Sequence, residues 1–306
     1  DLALGSGDKV MSQVGVMRII APLTFNIDDK LTVGGSLDYV RANMDLKMAV
    51  LTSQLGGMVT NASANWGAAM GPGPGTLADL DWGRFDFADS SDYSGAATGD
   101  GFGFKLGAVY KLDKTLTIGA TYHSETKIDD LEGSASLSAG NFGGAAVQTF
   151  NGQIAVRNFQ WPSTYGVGVS YVPSNQWMIA ADYKRINWSD VMKDFKMTFT
   201  EASMGALDVA MTQNWEDQDV FQIGAQHKLT ETVDLRFGVN IANNPVPNST
   251  INPLFPAIIE KHYTGGVGYD LSKQQAVNFA LSYAPEVSVT NSSSGVNTTH
   301  SQMSWQ

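Results

Sequence analysis

Five times along the chain, an alternating apolar and polar segment runs into a short polar turn and out through a second alternating segment. The five are APLTFNIDDKLTVGGSLDY, FKLGAVYKLDKTLTIGATY, YGVGVSYVPSNQWMIAADY, FQIGAQHKLTETVDLRFGV and TGGVGYDLSKQQAVNFALSY. Turns fall near Asp29, Asp113, Ser174, Thr230 and Ser272, each among small polar turn formers. The connections that follow each hairpin are all long: 42–101, 124–163, 187–217, 242–261 and 285–297. This strict alternation of short and long connections limits the fold more than any other feature. A β-sandwich has no reason for it. A barrel of the outer-membrane type does, with short periplasmic turns and long extracellular loops.

The alternation assigns faces. Phe102, Phe104, Leu106, Ala108 and Tyr110 oppose Gly103, Lys105, Gly107 and Val109, and Val233, Leu235, Phe237, Val239 and Ile241 oppose Asp234, Arg236, Gly238 and Asn240. Phe104, Leu106, Leu116, Ile118, Leu235 and Phe237 are therefore expected against lipid, and Lys105, Asp182, Lys184, Asp234 and Arg236 in the lumen. There these charges either pair across neighbouring strands or line a wet path. Period two with one apolar face also fits a half-buried soluble sheet. The aromatics Phe25, Tyr110, Tyr171, Trp177 and Tyr269 collect beside the short turns on the apolar face, where an interfacial girdle sits. Pro22, inside the first strand, predicts a bulge or a break.

Composition agrees with the barrel. Charged residues are 16% of the 306, against roughly 25% in soluble domains. No run approaches the about 18 apolar residues of a spanning helix, whereas alternating strands of about 9–11 residues cross without one. The net charge of −11 argues against nucleic acid, which needs a basic face. With no cysteine there is no disulfide framework and no thiolate chemistry. His123, His227, His262 and His300 show no metal-ligand spacing, and no GxSxG nucleophile motif occurs. Neither an enzymatic activity nor a metal or cofactor is expected. The GPGPG stretch at 71–75 reads as a loop, and the glycines at 99, 101 and 103 lead into a strand.

Five hairpins give ten strands, and Thr298–Gln306 starts an eleventh. A barrel with both termini in the periplasm has an even count, so the reading expects one transmembrane barrel lacking its first strands and its extreme C-terminus.

The first long connection is unusually apolar. It carries Met44, Leu46, Met48, Leu51, Leu55, Met58, Trp66, Trp82, Phe85 and Phe87, and the second adds Phe142 and Phe150. Residues 46–58 and 76–82 have the spacing of short amphipathic helices. Such a loop forms either a satellite core closing the barrel mouth or an apolar groove that captures solutes, with methionine supplying adaptable contacts.

The stretches WPSTYGVGVSYVP, DYKRINWSDV, NWEDQDVFQIGAQHKLTETVDLRFGVNIANNPVP and YTGGVGYDLSKQQAVNFALSYA resemble the FadL family of outer-membrane long-chain fatty acid transporters and its toluene-channel relatives. The match is in register over about 160–285 and looser from Ser12 to Tyr122. The resemblance implies a 14-stranded monomeric barrel, an outer solute site between two loops corresponding to 44–101 and 124–163, and passive uptake of fatty acids or hydrocarbons. It also implies contact with outer-membrane lipid and lipopolysaccharide. The family's plugging hatch and kinked third strand have no counterpart in these residues. A surface β-sandwich binding module and a general diffusion porin are the alternatives.

Overall fold

The structure, a computed structural model, describes residues 9–73, 75–89, 91 and 94–306, so Pro74 of the GPGPG stretch lies outside the described residues. In chain order come β1 (Met11–Asn26), β2 (Leu31–Leu51), α1 (Thr52–Met58), β3 (Val59–Ala62), α2 (Ala64–Met70), β4 (Trp82–Phe87), β5 (Ala97–Lys111) and β6 (Leu116–His123). Then follow β7 (Lys127–Ile128), β8 (Leu131–Gly140), β9 (Ala146–Arg157), β10 (Thr164–Ser174), β11 (Trp177–Ile186), α3 (Trp188–Val191), β12 (Asp194–Glu201) and β13 (Gly205–Thr212). The last five are β14 (Gln218–Lys228), β15 (Val233–Ala242), β16 (Lys261–Ser272), β17 (Gln275–Thr290) and β18 (Asn297–Trp305).

Eleven strands form one antiparallel wall in the order β1–β2–β5–β6–β10–β11–β14–β15–β16–β17–β18. These are the strands the hairpin repeat predicts, joined by turns where the polar residues fall. Two turns are held by aspartate. Asp28 Oδ1 accepts the amides of Lys30 and Leu31, and Asp113 Oδ1 accepts those of Thr115 and Leu116. These bonds favour the ionised form, and both carboxyls titrate below the ordinary aspartate range.

The large apolar side chains of the wall stand exposed on its outer face, as a lipid-facing surface requires. Phe104, Leu106, Ile118 and Phe237 are among them, while Leu116 and Leu235 are partly covered. A second aromatic row borders this face at the extracellular side: Tyr39, Phe102, Tyr122, Tyr165, Tyr183, Phe221, Tyr263 and Tyr283. Just above it one arrangement occurs twice. The Tyr39 phenol donates to Asp100, which also takes Arg41, and the Tyr183 phenol donates to Asp219, which takes Arg185.

Two expectations need correction. Pro22 causes neither bulge nor break, since the β1–β2 register runs unshifted from Met11 to Asn26. Among the described residues β1 has a ladder on one side only, so a missing N–H is tolerated. The long connections are also not plain loops. Seven segments build a second sheet, β2–β4–β8–β9–β12–β13–β3, in which the upper third of β2 takes part. Leu46–Leu51 is thus strand, paired with β4, and only Thr52–Met58 is helical. Strand pairing wins because the ladder to β4, joined as far as Lys47 by the ladder to β1, engages this backbone while Leu46 and Met48 turn inward. Of 76–82, Leu77–Asp79 forms a single 3-10 turn before β4 begins at Trp82.

Candidate functional site

The inner face of β2 links the two parts of the site. From Gly34 to Ser36 it borders a lumenal cavity of about 740 Å³, and Asp38 follows, fully buried. Beyond Asp38 the same face bears Val40, Ala42, Met44, Leu46 and Met48, all buried. The lumen thus runs directly into an apolar core that covers it.

Asp38 is the buried centre of the lumenal charges. It accepts from Ser36 Oγ at 2.6 Å and Arg18 Nη1 at 3.0 Å, and Lys105 Nζ lies 3.2 Å away. Arg18 also donates to Thr126 Oγ1 at 2.9 Å, tying the wall to the segment beyond β6. Arg236 lies 3.5 Å from Asp234 and donates to Asn278 at 2.7 Å and Gln226 at 3.3 Å. Asp182 and Lys184 border the cavity with His123, and neither forms an ion pair among the described residues. Of the five predicted lumenal charges, three are neutralised by neighbours and two are left facing the cavity.

The apolar candidates converge above this ring. Met44, Leu46, Met48, Leu55, Trp66, Phe85 and Phe87 are buried in one cluster with Met58 and Phe150 packed against it, whereas Trp82, buried, and Leu51, partly buried, stand outside that cluster. Trp66 packs edge-on to Phe150 at 4.9 Å and to Phe199 at 6.0 Å, and Phe85 meets Phe199 at 6.4 Å. Both buried indoles are satisfied: Trp66 Nε1 donates to Gly205 O and Trp82 Nε1 to Asn141 O, each at 3.0 Å. The arrangement is a closed core rather than an open groove. Phe142 does not join it and stands 57% exposed at the tip of the β8–β9 hairpin. A side chain in a surface turn has no sheet face to direct it inward.

Half of this core comes from residues the sequence reading did not single out. Ile154, Val156, Phe195, Met197, Phe199, Leu207 and Val209 close it from the second sheet. The run DFKMTFTE carried a signal, since Phe195, Met197 and Phe199 alternate with Lys196, Thr198 and Thr200. Gly101 permits the junction, because a side chain there would collide with Lys127 O and the Ile128 backbone. The segment after β6 can therefore lie against β5 and seal the core from below.

A wall with lipid-facing apolar residues between two aromatic rows, topped by a folded extracellular sheet, defines a β-barrel of the Gram-negative outer membrane. The chain belongs to the outer membrane protein transport protein family (OMPP1/FadL/TodX), whose model matches residues 3–304. It is similar to the crystal structure of the Pseudomonas putida toluene transporter TodX, with 30% identity and a TM-score of 0.81 over 95% of this chain and 68% of that one. The Ralstonia pickettii toluene transporter TbuX gives 31% identity and a TM-score of 0.75, over 95% and 66%. The long-chain fatty acid transport protein of Escherichia coli (strain K12) is 25% identical over 189 residues, 60% of this chain. The chain spans 41% of the length of that relative.

Proposed function

We propose that the chain forms a passive channel admitting hydrophobic small molecules through the outer membrane, monomeric and embedded in outer-membrane lipid and lipopolysaccharide. The observation that carries this reading is the apolar core set on the same β2 face as the lumen, two residues above Asp38. A solute that enters as this closed core opens gains about 25 cal/mol for each Å² of apolar surface buried. Met44, Met48 and Met58 supply side chains that repack around solutes of different shape. Such transfer needs no bond made or broken, so no catalytic group is required.

Neutral aromatic hydrocarbons are the leading substrate class, supported by the ring-rich core of Trp66, Phe85, Phe150 and Phe199 and by the transporters the chain is similar to. Long-chain fatty acids are the second reading, favoured by Lys184. It faces the cavity with no acidic ion-pair partner among the described residues and suits a carboxylate that could not lie unpaired in a dry passage.

Flux of toluene and of oleate into proteoliposomes tests both. Toluene flux that falls in Phe85→Ala and is unchanged in Lys184→Gln supports the hydrocarbon reading. Oleate flux lost only in Lys184→Gln supports the fatty acid. If neither solute enters faster than through empty vesicles, the channel reading fails.

A further inference from the structure

We infer that the outer wall carries a built site for one phospholipid acyl chain, independent of whatever the lumen conducts. Across β5, β6, β10, β11 and β14 the lipid-facing surface is dented by a concavity of about 670 Å³. Its floor is Ala108, Ala120 and Ala181, and its rims are Tyr110, Tyr183 and Phe221. Ala108 pairs with Ala120 across β5–β6, and Ala181 lies one strand beyond Val169. Three alanines of β5, β6 and β11, with Val167 and Val169 of β10 between them, thus fall together on a face otherwise studded with larger side chains.

The position of the rims identifies the occupant. Tyr110 is one residue from the periplasmic end of β5, and Phe221 is three residues into the extracellular start of β14. The groove therefore crosses the apolar band obliquely, between the two aromatic rows. Four strand spacings give it a length of about 19 Å, slightly more than the ~15 Å of one leaflet's hydrocarbon. Hydrocarbon chains are what surrounds this face, and an unfilled dent would forfeit dispersion contacts along its lining.

The groove does not open into the lumen. The cavity lies behind the same patch, but the ladders β5–β6, β6–β10 and β10–β11 run through it without a register shift between Gly107 and Val109, Ile118 and Thr121, and Gly166 and Val169. The wall is thin there and closed. Arg185, directly above Tyr183, is taken by Asp217 and Asp219, so it has no net charge to offer an anionic headgroup and the site reads the chain alone.

Native mass spectrometry of the full chain, purified in mild detergent and given dioleoyl phosphatidylethanolamine, tests this. Wild type should retain one lipid per chain. Ala120→Phe and Ala181→Phe fill the floor, and losing contact with only two methylenes weakens retention about tenfold. Ala225→Phe, on the same lipid-facing side but outside the groove, should retain lipid as wild type does. Heat-modifiable migration in SDS gels verifies folding, and Ala120→Leu replaces Ala120→Phe if the latter does not fold. Folded groove variants that keep their lipid would overturn the site, as would loss equal to that of Ala225→Phe. A wild type that retains no lipid, with toluene bound at the patch instead, also overturns it.

Discussion

Asp38 and Val40 lie two residues apart on one face of β2, just beyond Ser36, where the lumenal cavity ends on this strand. Asp38 is fully buried among Arg18, Lys105 and Ser36, while Val40, equally buried, starts a column of apolar side chains. One strand repeat of about 7 Å separates an ionic ring from a dry core. A hydrophobic solute in the proposed channel would be held above that step and lose burial on crossing it. The charge ring is then the barrier and the core the reservoir.

Asp38→Asn should therefore do more than remove one charge. It leaves Arg18 and Lys105 facing each other without their shared anion, both partly shielded from water. We expect a loss of about 1–3 kcal/mol in urea unfolding from lipid vesicles. Asp234→Asn should cost under about 1 kcal/mol, since Arg236 is more exposed and keeps Asn278 and Gln226. Equal losses at the two positions would show that Asp38 is not the centre of the ring.

The face assignment has its own test at adjacent residues. Phe237 points to lipid and Arg236 to the lumen, midway between the rows marked by Tyr269 and Tyr263. Phe237→Arg should destabilise the wall by roughly 2–4 kcal/mol, and Arg236→Gln by less than about 1 kcal/mol. The same vesicle assay reads both, and a reversed order would invert the faces.

The wall was legible because its information is local. A hairpin such as Lys105–His123 contains both partners, the turn between them and the alternation that sets its face. The second sheet is not local. Phe199 pairs across β12–β13 with Leu207 and across β12–β9 with Ile154, and Val59 meets Val209 on β3 and β13. A strand pattern shows that Phe195, Met197 and Phe199 share a face but not which distant strands enclose it. Composition alone marked Met44 to Phe87 as needing burial, and it could not separate a groove from a closed core. The extracellular aromatic row was missed because Tyr39 and Tyr183 border long connections, where strand ends cannot be read from turn residues.

Acid should loosen the periplasmic turns before the wall. The amides of Thr115 and Leu116 hold the Asp113 carboxyl below its ordinary range, so its pKa is lower folded than unfolded. A depressed carboxylate stabilises above the unfolded value and loses that contribution as pH falls through the folded one. Amide exchange at Thr115 and Leu116 should stay slow from neutral pH to about 4, then quicken below it, with unfolded aspartate near 3.9 as reference. Asp113→Ala should show fast exchange at every pH. Protection that persists in this variant would mean the β5–β6 ladder alone holds the turn.

Trp66→Ala tests whether the extracellular sheet is a unit separate from the wall. The indole fills the centre of the core, touching Phe150 and Phe199, with its N–H on Gly205 O. Truncation leaves a cavity and an unpaired carbonyl, a loss of about 3–5 kcal/mol. The wall contributes little to that core besides the upper face of β2, so the loss should fall on β3, β4, β8, β9, β12 and β13. Limited proteolysis should then cut within 124–163 or 187–217 while the wall keeps its heat-modifiable gel mobility. Capture and conduction would separate in the same variant: solute binding falls, yet small polar solutes pass more freely through a mouth no longer plugged. If the wall melts together with the sheet, the core of Met44 to Phe87 is part of the barrel's own stability, and its role as a reservoir for solutes loses its physical basis.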